Sequence, residues 1–222
     1  GSEMCIRDSC HYGANYIRYE AKGVEMIDGT FYQASKAIIS TIDPVQTFID
    51  LMDKDSIKED FARKITNWKW ESYSLFGVHS ALAEPPNFSA AEANPDINQA
   101  CVYVLGYEKL EDLLNHFDAL YRGEMVNSQG FNCCFPSIHD PQLAPPGRCS
   151  SQISLMAPFN LKEGPQQWYN FSFKQETAAR CLETLRRYAP NLTEEKVLSS
   201  YISTPLDMQN KFPDMREGSY KQ

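Results

Sequence analysis

The chain has 222 residues, enough for one sizeable core or for one domain and part of another. Its 42% hydrophobic and 23% charged content is that of an ordinary globular protein. A net charge of −8 argues against nucleic acid as a partner, because phosphate binding needs a basic face.

The first nine residues, GSEMCIRDS, show no periodicity, and residues 1–9 are expected to be a non-native leader. Residues 24–32 predict a hairpin, with Asp28-Gly29 supplying the positive φ of a tight primed turn. The continuous apolar centre of 36–41 predicts a strand buried on both faces of a parallel sheet. Asp43 before Pro44 is a helix start whose buried face is Val45, Phe48, Ile49 and Met52. Ser56 and Glu59 have the spacing of a capping box for a second short helix, with Phe61 and Ile65 inward.

Alternation over 68–83 predicts a long strand or strand pair, and 100–105 another strand. Residues 107–122 predict a helix with Leu110, Leu113, Leu114, Phe117, Leu120 and Tyr121 inward, His116 in solvent and Gly123 as terminator. Strands at 131–135 and 152–156 flank a loop, 136–147, that four prolines and a glycine make stiff. A long ordered loop between strands more often carries function than a hairpin turn does. Residues 168–173 alternate as a strand, and 176–188 form a helix with Ala178, Cys181, Leu182, Leu185 and Tyr188 inward. Thr193 is expected to cap a further helix, and Thr204-Pro205-Leu206-Asp207 a last short one. The pattern is α/β to about Met52 and α+β beyond it.

The run PSxxDPxxAPPG at 136–147, followed by a strand, Trp168, an amphipathic helix, Pro190-Asn191-Leu192 and Thr204-Pro205-Leu206-Asp207, resembles the phytoene desaturase-like flavoproteins. That group includes phytoene dehydrogenases, carotenoid isomerases, retinol saturase and pyridine nucleotide-disulphide oxidoreductase domain-containing proteins. The resemblance extends over about residues 23–222 and rests on the order of several motifs rather than on one. It implies a fragment of a Rossmann-like FAD-binding domain over 10–52, a substrate domain of mainly antiparallel sheet over 53–203, and a truncated return to the FAD-binding domain over 204–222. It also implies FAD as cofactor, an apolar, carotenoid- or retinoid-like substrate, and its dehydrogenation, saturation or isomerisation.

None of the eleven glycines lie two apart, so the chain holds no GxGxxG loop to seat a dinucleotide pyrophosphate. As written it is expected to lack its main cofactor cradle and to be inactive alone. By resemblance, what remains of the cofactor site is the turn containing Ser40, Thr41, Asp43 and Pro44. It ends a predicted strand and opens a helix, where open α/β sheets place ligands, although capping alone accounts for these residues. Flavin supplies the redox chemistry in such proteins, so no catalytic residue is assigned. An apolar tunnel is expected among Phe, Leu, Met and Trp of the sheet between Trp68 and Phe173. The same residues also describe an ordinary core.

The four histidines are the candidate proton carriers, with His79 in a strand and His139 the more notable because Asp140 adjoins it; Asp140 before Pro141 is equally a turn former. Cys133, Cys134, His139 and Cys149 match no recurrent metal spacing, so no metal is expected. The seven cysteines, with no signal peptide, suggest reduced thiols in an intracellular protein. No run reaches bilayer-spanning length, so any membrane contact is expected to be peripheral. Two other classes share the pattern: a non-catalytic binding or scaffold protein that keeps the cavity, and a flavin amine oxidase. Oligomeric state is not legible.

Overall fold

Every strand pairing in the computed structural model is antiparallel, in a molecule of mixed helix and sheet. Residues 4–13, 16–71, 73–126, 130–212 and 215–218 are described. They form two compact units, one ending at Lys69 and the other beginning at Trp70. Among the described residues no helix is long and apolar enough to cross a membrane.

The first unit is built on a meander of β1 (Met4–Gly13), β2 (Tyr16–Met26) and β3 (Phe31–Gln33). Part of the expected leader therefore lies in β1, which pairs along β2. The hairpin at Asp28-Gly29 forms, but through a three-residue connection rather than a primed two-residue one. Only Gly29 is left-handed, at φ +83°, and the Met26 carbonyl accepts from Gly29 N–H at 2.9 Å. The strand predicted over 36–41 is absent: these residues join no ladder, and Ile39 is 88% exposed. A parallel strand exists only through neighbours on its edges, which an apolar run cannot supply by itself. Asp43 does open a helical turn, with its Oδ1 accepting from Gln46 N–H at 3.0 Å. The turn then widens, Leu51 N–H reaching back to the Gln46 carbonyl at 3.0 Å, and it buries Thr47 more deeply than the predicted apolar face. Helix α1 (Glu59–Thr66) buries Ile65, whereas the expected Ser56 capping box does not form. The Ser56 hydroxyl instead donates to the Asp53 carbonyl at 2.6 Å, closing a local turn.

The second unit is a five-stranded sheet in the order β5–β6–β7–β4–β8. Its centre is the pair β4 (Tyr73–Leu82) and β7 (Cys149–Pro158), in unbroken register from Tyr73↔Pro158 to Leu82↔Cys149. Period-2 alternation sends Phe76, Val78, Leu82, Ile153 and Leu155 to one face, where all are fully buried. Side chains of this size each contribute about 1.5–3 kcal/mol relative to exposure. Short strands β5 (Tyr103–Leu105) and β6 (Phe131–Cys134) extend the sheet beside β7. Beside β4 lies β8 (Val197–Ser203), where a helix after Thr193 was predicted. Four of its seven residues are exposed, so β8 carries no apolar alternation to betray it.

Helix α3 (Phe171–Tyr188) covers the packed face with Ala178, Cys181 and Leu185. It begins inside the stretch predicted as a strand at 168–173, because Asn170 caps it by accepting from Phe173 N–H at 3.2 Å. Trp168 is buried before it, its indole N–H shared between the Pro158 and Phe159 carbonyls at 3.2 Å each. Asn191 stitches the chain leaving β4, accepting from Asn87 N–H at 2.8 Å and donating to the Pro85 carbonyl at 2.9 Å. Helix α4 (Pro205–Lys211) has the predicted capping box: Asp207 N–H donates to Thr204 Oγ1 at 3.1 Å, and Thr204 N–H to Asp207 Oδ2 at 3.0 Å.

Helix α2 (Leu110–Tyr121) ends at Gly123 as predicted, with φ +68°, and buries the expected face only in part, through Leu113, Phe117 and Leu120. His116, Ala119 and Leu120 are buried, while Leu110, Leu114 and Tyr121 are each more than half exposed. His116, expected in solvent, sits between two polar partners: Tyr107 OH 2.6 Å from Nδ1 and the Met156 carbonyl 3.0 Å from Nε2. Pairing of β6 stops at Asn132↔Ser154, so β7 runs on past it and its Met156 carbonyl turns to the imidazole. Burial holds His116 below its ordinary pKa and pushes the Tyr107 phenol up to about 12. The neutral ring donates from Nε2 and accepts the phenolic proton at Nδ1.

A group with a depressed folded-state pKa stabilises fully above its unfolded value, and that contribution is lost as pH falls through the folded value. Urea midpoints should therefore drop as pH falls below about 6.5, and His116→Asn, although less stable, should lose that slope. Tyr107→Phe should cost about 1 kcal/mol at neutral pH.

Candidate functional site

Each unit presents one cavity of interest. In the first, a cavity of about 390 Å³ is lined by Ser40, Ile42, Pro44, Thr47, Phe48 and Met52, with Ala21 and Ile38. Of the residues expected at a cofactor, Ser40 and Pro44 line this cavity. Thr41 is exposed outside it, and Asp43 is buried, its carboxylate turned to cap Gln46. The Ser40 and Thr47 hydroxyls lie 2.7 Å apart and present a small polar spot on an otherwise apolar wall. Among the described residues no basic side chain lines this wall. It therefore suits a neutral, flat or polyhydroxylated group and does not suit a diphosphate, which needs amide donors or cations.

In the second unit the face of the sheet opposite the core carries Gly77, His79 and Ala81 from β4, with Ser150, Gln152 and Ser154 from β7. A cavity of about 570 Å³ lies at the loop end of this face, lined by His79, Ala81, Arg148, Ser150, Gln152 and Leu198 with the proline loop as a wall. The loop is stiff for the predicted reason. Pro136–Ile138 and Pro141–Leu143 each form a helical turn, the second capped by Asp140 Oδ1 accepting from Gln142 N–H at 3.0 Å. Pro146-Gly147 forms a reverse turn with Gly147 at φ +76°, closed by Arg148 N–H to the Pro145 carbonyl at 2.9 Å. Ser137 Oγ ties the loop to the sheet, accepting from Ser150 N–H at 2.9 Å.

The predicted apolar tunnel is not what lines this cavity. Phe76, Phe88, Tyr103, Phe135 and Trp168 pack together in the closed core on the other face. Of the candidate proton carriers, His79 borders the cavity and lies across from Tyr201, ring centres 6.1 Å apart. His139 is exposed on the loop, and Asp140 serves as the turn former. Arg148, Ser150 and Gln152 were not singled out from sequence. Starting the extended stretch at Arg148 rather than Gln152 would have shown them at i, i+2 and i+4, on one face.

Cys133 and Cys134 point to opposite faces of β6, and among the described residues no His, Cys, Asp and Glu side chains group as a metal site. Burial pushes the Cys133 and Cys181 thiols up to about 12 and raises Cys134 and Cys149 as well, which keeps them protonated and poor nucleophiles.

No family model matches the sequence. The chain is 27% identical over 194 residues to a subunit of the limonene dehydrogenase of Castellaniella defragrans, covering 84% of this chain and 34% of that protein. It is also 27% identical over 197 residues to the mouse (Mus musculus) pyridine nucleotide-disulfide oxidoreductase domain-containing protein 2, covering 86% of this chain and 33% of the relative. The chain thus spans about a third of the length of these curated relatives, and both carry oxidoreductase names.

Two measurements probe these sites. Brief alkylation with iodoacetamide at about pH 8 should label the exposed Cys101 and spare Cys133 and Cys181, read by peptide mass spectrometry. Asp43→Ala should cost about 1 kcal/mol by removing the cap, with faster amide exchange at Gln46, whereas Asp43→Asn should keep most of the stability.

Proposed function

We propose that this chain is part of an FAD-dependent oxidoreductase of the phytoene desaturase type, whose reaction removes hydride from, or returns it to, an apolar small molecule. Limonene, named in one relative, and carotenoid- or retinoid-like polyenes all belong to that substrate class. The observation that carries the proposal is the two-faced sheet. One face is a sealed aromatic core, while the other carries the half-buried Ser154 and the exposed Gln152 beside a preformed cavity. Such a face suits a small molecule held against a planar ring. The relationship to a dehydrogenase subunit and an oxidoreductase-domain protein supports the same class.

FAD, when bound, supplies the hydride acceptor or donor. Ser40 and Pro44 would touch its neutral parts, with the Ser40 hydroxyl as hydrogen-bond partner and Asp43 holding the turn in shape. The diphosphate needs a glycine loop from outside these residues. The chain's own contribution on the substrate side is binding, orientation and exclusion of water, with His79 at the cavity edge as the group able to accept or release a proton.

The full-length parent of this segment should purify with flavin absorbance that survives gel filtration, and Ser40→Glu should lower its flavin retention. A colourless parent that still bound apolar ligands would favour the scaffold alternative. Flavin bleaching by amines rather than by hydrocarbons would favour the amine oxidase.

A further inference from the structure

The loop-end cavity of the second unit combines features that the flavin proposal does not use. Arg148 immediately precedes β7 and shares its parity with Ser150 and Gln152, so the three line up along one wall. In a protein of net charge −8, Arg148 is, among the described residues, the only side chain of fixed charge lining this cavity, and none of them brings a carboxylate to it. Its hydrogen bond from Nη1 to the Ala83 carbonyl is a long 3.5 Å, which leaves most of the guanidinium fork for another partner. The Ser150 hydroxyl is out of contact with solvent and, among the described residues, has no hydrogen-bond partner. A native fold rarely leaves a buried hydroxyl unpaired unless something else completes it. Opposite this polar wall, Leu143 and Leu198 are each more than half exposed at the rim, beside Pro145.

We propose that this cavity binds a small amphiphile by its anionic head, with a carboxylate accepting from Arg148 and, once its side chain rotates toward the cavity, from the Ser150 hydroxyl, and an apolar body lying on Leu143, Pro145 and Leu198. The proline turns preform the wall, so little ordering is needed on binding. The cavity lies wholly within the second unit and does not rest on the flavin reading. A parent that failed to hold flavin would leave the result below unchanged, and the converse also holds.

The test titrates the 222-residue chain with octanoate and with 1-octanol, which share an apolar body and differ in head group, by isothermal titration calorimetry. Thermal unfolding is followed in parallel to check that each variant is folded. Octanoate should bind about tenfold more tightly than octanol, the order expected of a charge-assisted hydrogen bond. Arg148→Ala should erase that preference and Arg148→Lys restore part of it, while Ser150→Ala weakens octanoate severalfold. Leu143→Gln should weaken both ligands alike. Equal affinity for the two heads, no binding of either by folded chain, or an octanoate affinity indifferent to Arg148→Ala would each overturn the proposal.

Discussion

The second unit depends on one constraint, the uninterrupted antiparallel register of β4 with β7 from Tyr73↔Pro158 to Leu82↔Cys149. Because side chains alternate faces, that register decides at once which residues seal the core and which line the loop-end cavity. A slip of β7 by one position would bring Gln152 and Ser150 under the aromatic cluster and push Ile153 and Leu155 into water. The burial of Phe76, Val78, Ile153 and Leu155 is therefore also what holds the polar wall in place.

Around that ladder the polar groups mostly serve as fasteners. His116 anchors α2 to the carbonyl that β7 leaves over beyond β6, and Asn191 ties the chain leaving β4. Trp168 offers one indole donor to two carbonyls at the end of β7. Several of the motifs behind the family resemblance are thus structural: Trp168, Asn191 and the Thr204–Asp207 box all satisfy backbone groups. The proline loop is the exception, because it both closes a backbone path and walls a cavity.

The loop-end cavity of the second unit and the small polar spot at Ser40 in the first are features that composition does not suggest. Bulky apolar residues went to the core, and the opposite face of the β4–β7 pair went to glycine, alanine, serine and single polar side chains. The Phe and Trp side chains among which a tunnel was expected pack as closed core on the other face of the sheet.

Sequence by itself determined the features that close within a few residues. Asp43-Pro44, Thr204 with Asp207, Gly123, Asp28-Gly29 and the Pro146-Gly147 turn each satisfy their backbone partners locally, so their residue types suffice to predict them. The long strand within 68–83 was legible because its alternation is strong, and of the candidate site the stiff loop and the capped turn at Ser40–Pro44 were legible too. Tertiary structure alone decided what depends on a distant neighbour. The run 36–41 found no strand to pair with, and α2 turned its histidine inward while Leu110 and Leu114 stayed exposed. Arg148, Ser150 and Gln152 became a wall only because β7 lies beside β4, whose residues are about seventy positions away in the chain. Burial and register are properties of pairs of segments, and no single segment encodes its partner.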